Sequence, residues 1–224
     1  MVRICSFEAS ISAGKTTLIE NIMKKVKGNK KYILVPEPVE EWRSIYLKDG
    51  RDFLAAYYDN INENALSFQL VALFTRRQLM LKKIKEAEEI EKVIGEECIL
   101  ITERTVLSDY HTFAKMLISQ GHIHEHGAIA YKMWFDVFSK EFNISKALYI
   151  KVSPETCFDR IHIRNREGED GISLKYLKDL HHVHETFYDE VLSKLDCKVI
   201  SNDHDLNSVE YDMMICDVIN FFNL

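Results

Sequence analysis

Five compact apolar runs rich in β-branched residues punctuate this chain: VRICSFE from Val2, YILVPE from Tyr32, CILITE from Cys98, KALYIKV from Lys146 and CKVIS from Cys197. Runs of this kind suit strands that are covered on both faces of a sheet. Between them lie long stretches with helical spacing, at 16–26, 52–61, 62–93, 106–117, 125–142, 154–165 and 173–194, and a last one at 208–222. Parallel strands need a crossover connection, and helices are the usual crossovers. The alternation therefore predicts an α/β fold, with a central parallel sheet of about five strands flanked by helices. Eight glycines and three prolines are few for 224 residues, which favours long helices over a loop-rich all-β design. No repeat, low-complexity tract or linker divides the chain, so a single domain over 1–224 is expected.

Charge narrows the partners. A net charge of −6 argues against a nucleic-acid backbone, which needs a basic face. A small phosphorylated ligand is still compatible, because such sites depend on local cations. The five cysteines are scattered with no CxxC pair, as expected for reduced thiols in a cytoplasmic protein. The strand pattern begins within a few residues of Met1, so no targeting segment is expected ahead of it. The apolar tail MMICDVINFFNL is interrupted by Asp217 and Asn220 and falls far short of the roughly 20 apolar residues of a membrane span. It reads as a packed helix, with no membrane partner.

Chemistry enters between the first strand and the first helix, at FEASISAGKTT (Phe7 to Thr17). Gly14, Lys15 and Thr16 match the end of a phosphate-binding loop, and the strand–loop–helix context raises the match above chance. Across Ala9, Ser10, Ile11, Ser12, Ala13, Gly14, Lys15, Thr16 and Thr17, backbone N–H groups and the helix N-terminus would cradle phosphate. Lys15 would reach the terminal phosphates, and the Thr16 hydroxyl would be a Mg²⁺ ligand. Ala9 stands where the pattern has its first glycine. Alanine in a left-handed conformation costs about 1–2 kcal/mol, so the expectation is that this position has a negative φ and the loop works.

Other charged residues gather where α/β folds keep their sites, after the strand C-termini. Glu37 follows the second strand in VPEPVEEW, and Glu103 and Arg104 follow the third in ITERTVLSD. Arg160, Arg164 and Arg166 form a basic cluster in and after a helix, ahead of an acidic glycine loop. A spacing of four puts Arg160 and Arg164 on one helix face.

With those residues in place, the chain resembles the deoxynucleoside kinase family, the relatives of deoxycytidine and deoxyguanosine kinases. The resemblance runs from Arg3 to the last helix and rests on EPVxxW, ER(S/T)VxSD, PETCxxRIxxR and GIxLxYLxxLHxxHE, in that order. It implies ATP-dependent, Mg²⁺-assisted phosphorylation of a deoxynucleoside 5′-hydroxyl on a P-loop kinase fold. Glu37 would be the general base, Arg104 would orient it and touch phosphate, and Glu103 would help Thr16 hold Mg²⁺. Arg160, Arg164 and Arg166 would form a lid, about 160–172, whose planar forks suit phosphate oxygens. Tyr58 and Glu169 would meet the 3′-hydroxyl and Gln69 the base edge. Phe68 and Phe113 would stack on the base, with Trp42, Leu54 and Tyr57 lining the pocket. Ala72, Arg76 and Asp109 match the deoxycytidine/deoxyguanosine branch, so deoxyadenosine, deoxyguanosine and deoxycytidine are expected over thymidine.

Plainer readings apply elsewhere. Leu66, Leu70, Leu73 and Phe74 are expected to be core. His122, His124 and His126, with His181, His182 and His184, lack the order of a metal motif and read as surface or capping histidines. The apolar positions Met133, Val137 and Phe138, with Trp134 and Phe142, are core or a helix-to-helix interface, the family being dimeric. The rivals are a nucleoside monophosphate kinase, which would reserve basic residues for an acceptor phosphate, and a nucleotide-binding regulator that has lost catalysis.

Overall fold

Each of the five apolar runs forms a strand of one sheet: β1 (Arg3–Ala9), β2 (Tyr32–Val35), β3 (Ile99–Glu103), β4 (Ile144–Lys151) and β5 (Cys197–Ser201). The computed structural model describes residues 2–26, 31–166, 169, 171–202 and 208–224. Strand order is β2-β3-β1-β4-β5 and every pairing is parallel, which establishes the α/β fold expected from the alternation. β2 ends at Val35 rather than Glu37, because Pro36 has no N–H to offer the ladder. β4 starts two residues early, at Ile144.

The helices that cross between strands bury the sheet from both sides. α1 (Lys15–Lys25) and α10 (Val209–Phe222) place Leu18, Ile22, Ile215, Val218 and Phe222 against Cys5, Phe7 and Ala9 of β1. Side chains alternate along a strand, so Ile4 turns to the opposite face. There it packs with Leu100, with Leu73 and Met80 of α4 (Ile61–Ile94), and with Tyr131 and Phe135 of α7 (Glu125–Phe138). α4 has 34 residues and so spans roughly 50 Å. Asn60 caps its start by accepting from Glu63 N–H, and Gly95 ends it in a left-handed conformation, φ +71°.

Helix boundaries depart from the periodicity in four places. α2 (Val39–Ser44) has no counterpart in the periodicity, since Pro36 and Pro38 make VPEPVEEW read as loop, although proline is compatible with a helix start. α3 (Phe53–Asp59) is shorter than 52–61 and is capped by Asp52, which accepts from Ala55 N–H at 2.8 Å. The single helix predicted at 106–117 is instead α5 (Val106–Ser108), a π-helical turn (Asp109–Ala114) and α6 (Lys115–Ser119) in unbroken succession. α7 stops before 142, yet Phe142 is still buried. α8 (Pro154–Arg164) and α9 (Leu174–Glu190) match their predicted stretches, with a 3₁₀ turn, Leu192–Lys194, after the latter. The predicted lid includes 167, 168 and 170, which lie outside the described residues. Among the described residues, no helix is long and apolar enough to cross a membrane.

Candidate active site

The loop between β1 and α1 is built from two left-handed residues, Ser12 at φ +59° and Gly14 at φ +84°. Ala9 is neither. It pairs with Ile150 inside the β1–β4 ladder, and its methyl group is sealed in the core, so alanine there carries no left-handed strain. Gly14 is the position with no freedom, since a Cβ there would lie 2.5 Å from Asn202 Nδ2. Asn202, immediately after β5, donates that same amide to the Ala13 carbonyl at 2.8 Å and straps the loop. No local signal in the sequence marked Asn202, because the contact joins residues from opposite ends of the chain.

Lys15 is buried and donates to the Ser10 carbonyl at 3.0 Å. Its pKa is lowered to about 8, by burial first and then by the Arg104 charge. The Thr16 hydroxyl donates to both oxygens of Glu103, at 2.9 and 3.1 Å. This pair supplies hard oxygen donors beside the loop, the kind Mg²⁺ takes while keeping waters and phosphate in its shell.

Glu37, after β2, is held in a grip of two guanidinium groups. Arg104 Nη1 donates to its Oε2 at 2.7 Å, and Arg76 Nη2 to its Oε1 at 3.0 Å. Burial alone would push this carboxyl up, but Arg104, Arg76 and Lys15 outweigh it and hold the pKa at about 2. Glu37 is therefore an anion at any working pH. Arg76 also pairs with Asp109 through Nε (2.8 Å to Oδ2) and donates to the Glu103 carbonyl at 3.0 Å. The link from Arg76 to Glu37 carries no sequence signal, because it requires α4 to pass near the end of β2. Asp109 and Phe113 both belong to the π-helical turn, and such turns alter which side chains share a face, often at functional sites. Arg104 itself is left-handed, φ +63°, at the C-terminal end of β3.

These groups open into one cleft of about 630 Å³, within the range of small-molecule sites. Of the predicted site residues, all but Ala9, Ser10 and Ala13 line it, and those three form the buried wall of the loop. Phe68 stacks on Tyr57 at 4.4 Å between centroids, and Trp42 donates its indole N–H to Thr75 Oγ1 at 2.9 Å. Phe113 lies beneath the Arg104 guanidinium, 5.1 Å from ring centroid to Cζ. Tyr176, which carried no assigned role in the sequence, joins the lining and shares a 3.2 Å hydrogen bond with the Tyr57 hydroxyl. From α8, Arg160 donates to the Asn202 carbonyl at 2.8 Å. Arg164 pairs with Glu169, which Arg166 also approaches at 3.3 Å.

Leu73 is fully buried, and Leu66, Leu70 and Phe74 pack on the same cluster as partly buried neighbours. His184 corrects the surface reading of the histidines. It is buried beside Phe113, with Nδ1 against the Leu180 carbonyl, and burial lowers its pKa to about 3, leaving it neutral. Among the described residues no cluster of three or more potential metal-ligating His, Cys, Asp or Glu occurs.

A strand–loop–helix turn with the phosphate-loop pattern, a buried carboxylate gripped by two guanidinium groups and an arginine-bearing helix surround one cleft on a parallel α/β sheet, the architecture of the P-loop kinase fold. The comparisons refine that class. The deoxynucleoside kinase family model matches residues 5–222. Deoxycytidine kinase 2 of Gallus gallus is 30% identical over 215 residues, covering 87% of this chain and 77% of its own. Deoxycytidine kinase 1 of Xenopus laevis is 32% identical over 206 residues (83% and 74%), and the Homo sapiens deoxycytidine kinase 31% over 206 (83% and 75%). The chain belongs to the deoxynucleoside kinase family, and its activity is that of a deoxynucleoside kinase.

Proposed function

We propose that this kinase transfers the γ-phosphoryl group of ATP to the 5′-hydroxyl of deoxyadenosine, deoxyguanosine or deoxycytidine in preference to thymidine. The observation that carries the reading is Glu37, held by Arg76 and Arg104 in the one cleft that the loop residues and the aromatic residues also line. In this scheme Glu37 aligns the 5′-hydroxyl and accepts its proton. A carboxylate of low basicity suffices, because a loose phosphoryl-transfer transition state asks mainly for positioning and charge neutralisation. Lys15, Arg104, Arg160, Arg164 and Arg166 neutralise the transferring phosphate, and the loop 9–17 binds the donor. Thr16 and Glu103 would hold Mg²⁺, which when bound would supply charge neutralisation on the phosphate oxygens.

Trp42, Leu54, Tyr57, Phe68 and Phe113 enclose the nucleoside, Tyr58 and Glu169 take the 3′-hydroxyl, and Gln69 reads the base. Ala72, Arg76 and Asp109 set the base preference, since a mismatched base leaves a buried polar group unpaired. The catalytic unit is one domain over 1–224 with a lid at 160–172, in a cytoplasmic homodimer. The exposed stripe Ile129, Met133, Trp134 and Val137 on α7 supports self-association, whereas Phe138 belongs to the core. Coupled ATP turnover with each deoxynucleoside and monophosphate tests the reading. The highest kcat/KM should fall among the three named nucleosides. Thymidine ranking first would overturn the base preference, activity confined to monophosphates would favour the other kinase class, and no turnover would favour a regulator.

A further inference from the structure

β1 is buried on both faces, yet it carries a carboxylate, Glu8, that is 1% exposed and does not line the cleft. Its partners are two hydroxyls from the segment after β3: Thr105 donates to Oε1 at 3.2 Å, and Ser108 donates to Oε2. Each hydroxyl is already committed as an acceptor. Thr105 Oγ1 receives the Leu107 N–H at 3.2 Å, and Ser108 Oγ receives the Thr105 N–H at 3.1 Å. Their single protons therefore both point at Glu8, which satisfies them as a doubly accepting carboxylate.

This cluster follows directly after Arg104, the residue with the costly backbone. A non-glycine residue at φ +63° is strained and persists only where its surroundings fix it. The fixing bonds come from around Glu8. Arg104 N–H donates to the Phe7 carbonyl at 3.0 Å, Arg104 Nη2 to the Ala9 carbonyl at 3.0 Å, and Thr102 Oγ1 to the Arg104 carbonyl at 2.7 Å. Glu8, between Phe7 and Ala9, anchors the residue on the far side of Arg104.

We propose that Glu8 is a positioning residue: with Thr105 and Ser108 it locks the left-handed Arg104 so that its guanidinium faces Glu37. The inference rests on the kinase reading only in taking the Arg104–Glu37 pair as catalytic. Two states of Glu8 follow from the bonding. The carboxylate accepts both hydroxyl protons; in the protonated acid the new proton on either oxygen faces a hydroxyl that is itself donating, so one hydroxyl must turn its proton away and the anchor loosens. Burial pushes the Glu8 pKa up to about 7, against the pull of the Ser108 hydroxyl, the Arg104 and Arg76 charges and the Thr105 hydroxyl. Cys197, across the sheet on β5, is electrostatically coupled to Glu8 and has its own pKa raised to about 11, so it adds no charge in this range. Activity should then rise with pH through about 7, a range in which Glu37 is already ionised.

The test is kcat and KM against pH for the full-length enzyme, with ATP, Mg²⁺ and whichever deoxynucleoside wild type turns over best. Wild-type turnover is established first, so failure of the kinase reading is seen separately. Glu8→Gln should lower kcat about tenfold or more, leave nucleoside KM within about threefold, and abolish the pH step near 7. Ser108→Ala keeps the carboxylate but removes a bond that favours its ionisation, so the step should move to higher pH. The proposal is overturned if Glu8→Gln only lowers Tm, with kcat and the step retained. Should Glu8→Gln not fold, Ser108→Ala decides alone, and an unmoved step or no step in wild type overturns it.

Discussion

Ala9 and Gly14 show how unequal two positions of one loop are. Ala9 is a strand residue with its methyl group in the core, so Ala9→Gly should change kcat/KM by less than tenfold, about 1.4 kcal/mol, in steady-state assays. A larger gain would show the alanine to be a handicap. Gly14→Ala meets both a left-handed φ and the Asn202 amide, and should lose most nucleotide affinity by calorimetry. Arg76 is a different case, because one guanidinium serves both Asp109 and Glu37. Arg76→Met with Asp109→Ala should shift preference towards thymidine while lowering kcat roughly tenfold or more for every nucleoside, since a charge-assisted bond to Glu37 is lost. Unchanged rankings across the four nucleosides would refute the base-reading role, and unchanged kcat the positioning role.

Lys15 links the same loop to pH. Its folded pKa is lowered to about 8 from 10.5, so the unfolded chain holds the extra proton between those values. This penalty on the folded state is present below pH 8 and is relieved as pH rises through that window. A bound triphosphate restores the charge. At pH 8, ATP binding should take up protons, seen as apparent enthalpies that differ between buffers of different ionisation enthalpy; equal enthalpies would contradict it.

At the level of elements, the strands were legible because a β-branched apolar run buried on both faces has few other uses. What was not legible was the interruption of a helix by tertiary demand. The periodicity at 106–117 is helical throughout, yet residues 109–114 form a π turn that places Asp109 against Arg76 and Phe113 beneath Arg104. Hydrophobic spacing is insensitive to one added residue per turn. α2 was hidden by the opposite bias, since two prolines disguised a short helix that sets Trp42 into the pocket. α4 does the most to join site and core. Leu73→Ala, at a fully buried position, should cost about 2–5 kcal/mol and lower Tm by roughly 5–15 °C, with nucleoside KM little changed because Leu73 faces away from the cleft.

For the molecule as a whole, the exposed apolar stripe on α7 makes a specific demand. Light scattering should give twice the chain mass, and Met133→Glu with Trp134→Arg, both exposed in the single chain, should return it to one. A wild-type mass equal to one chain would reject the dimer.

The sheet, its crossovers and the loop pattern were legible in the residues, because each depends on local spacing or on a motif of fixed order, and most residues of the cleft followed from the family resemblance. How the buried polar groups pair was settled by packing between distant segments. Arg76 reaches Glu37, Asn202 straps Ala13, and Glu8 holds the turn that aims Arg104, across separations of 39, 189 and 100 residues. A buried carboxylate is written in the sequence as one polar letter in an apolar strand. Its partners are named only when the chain has folded, since burial obliges every such charge to find whichever donors the packing brings within reach.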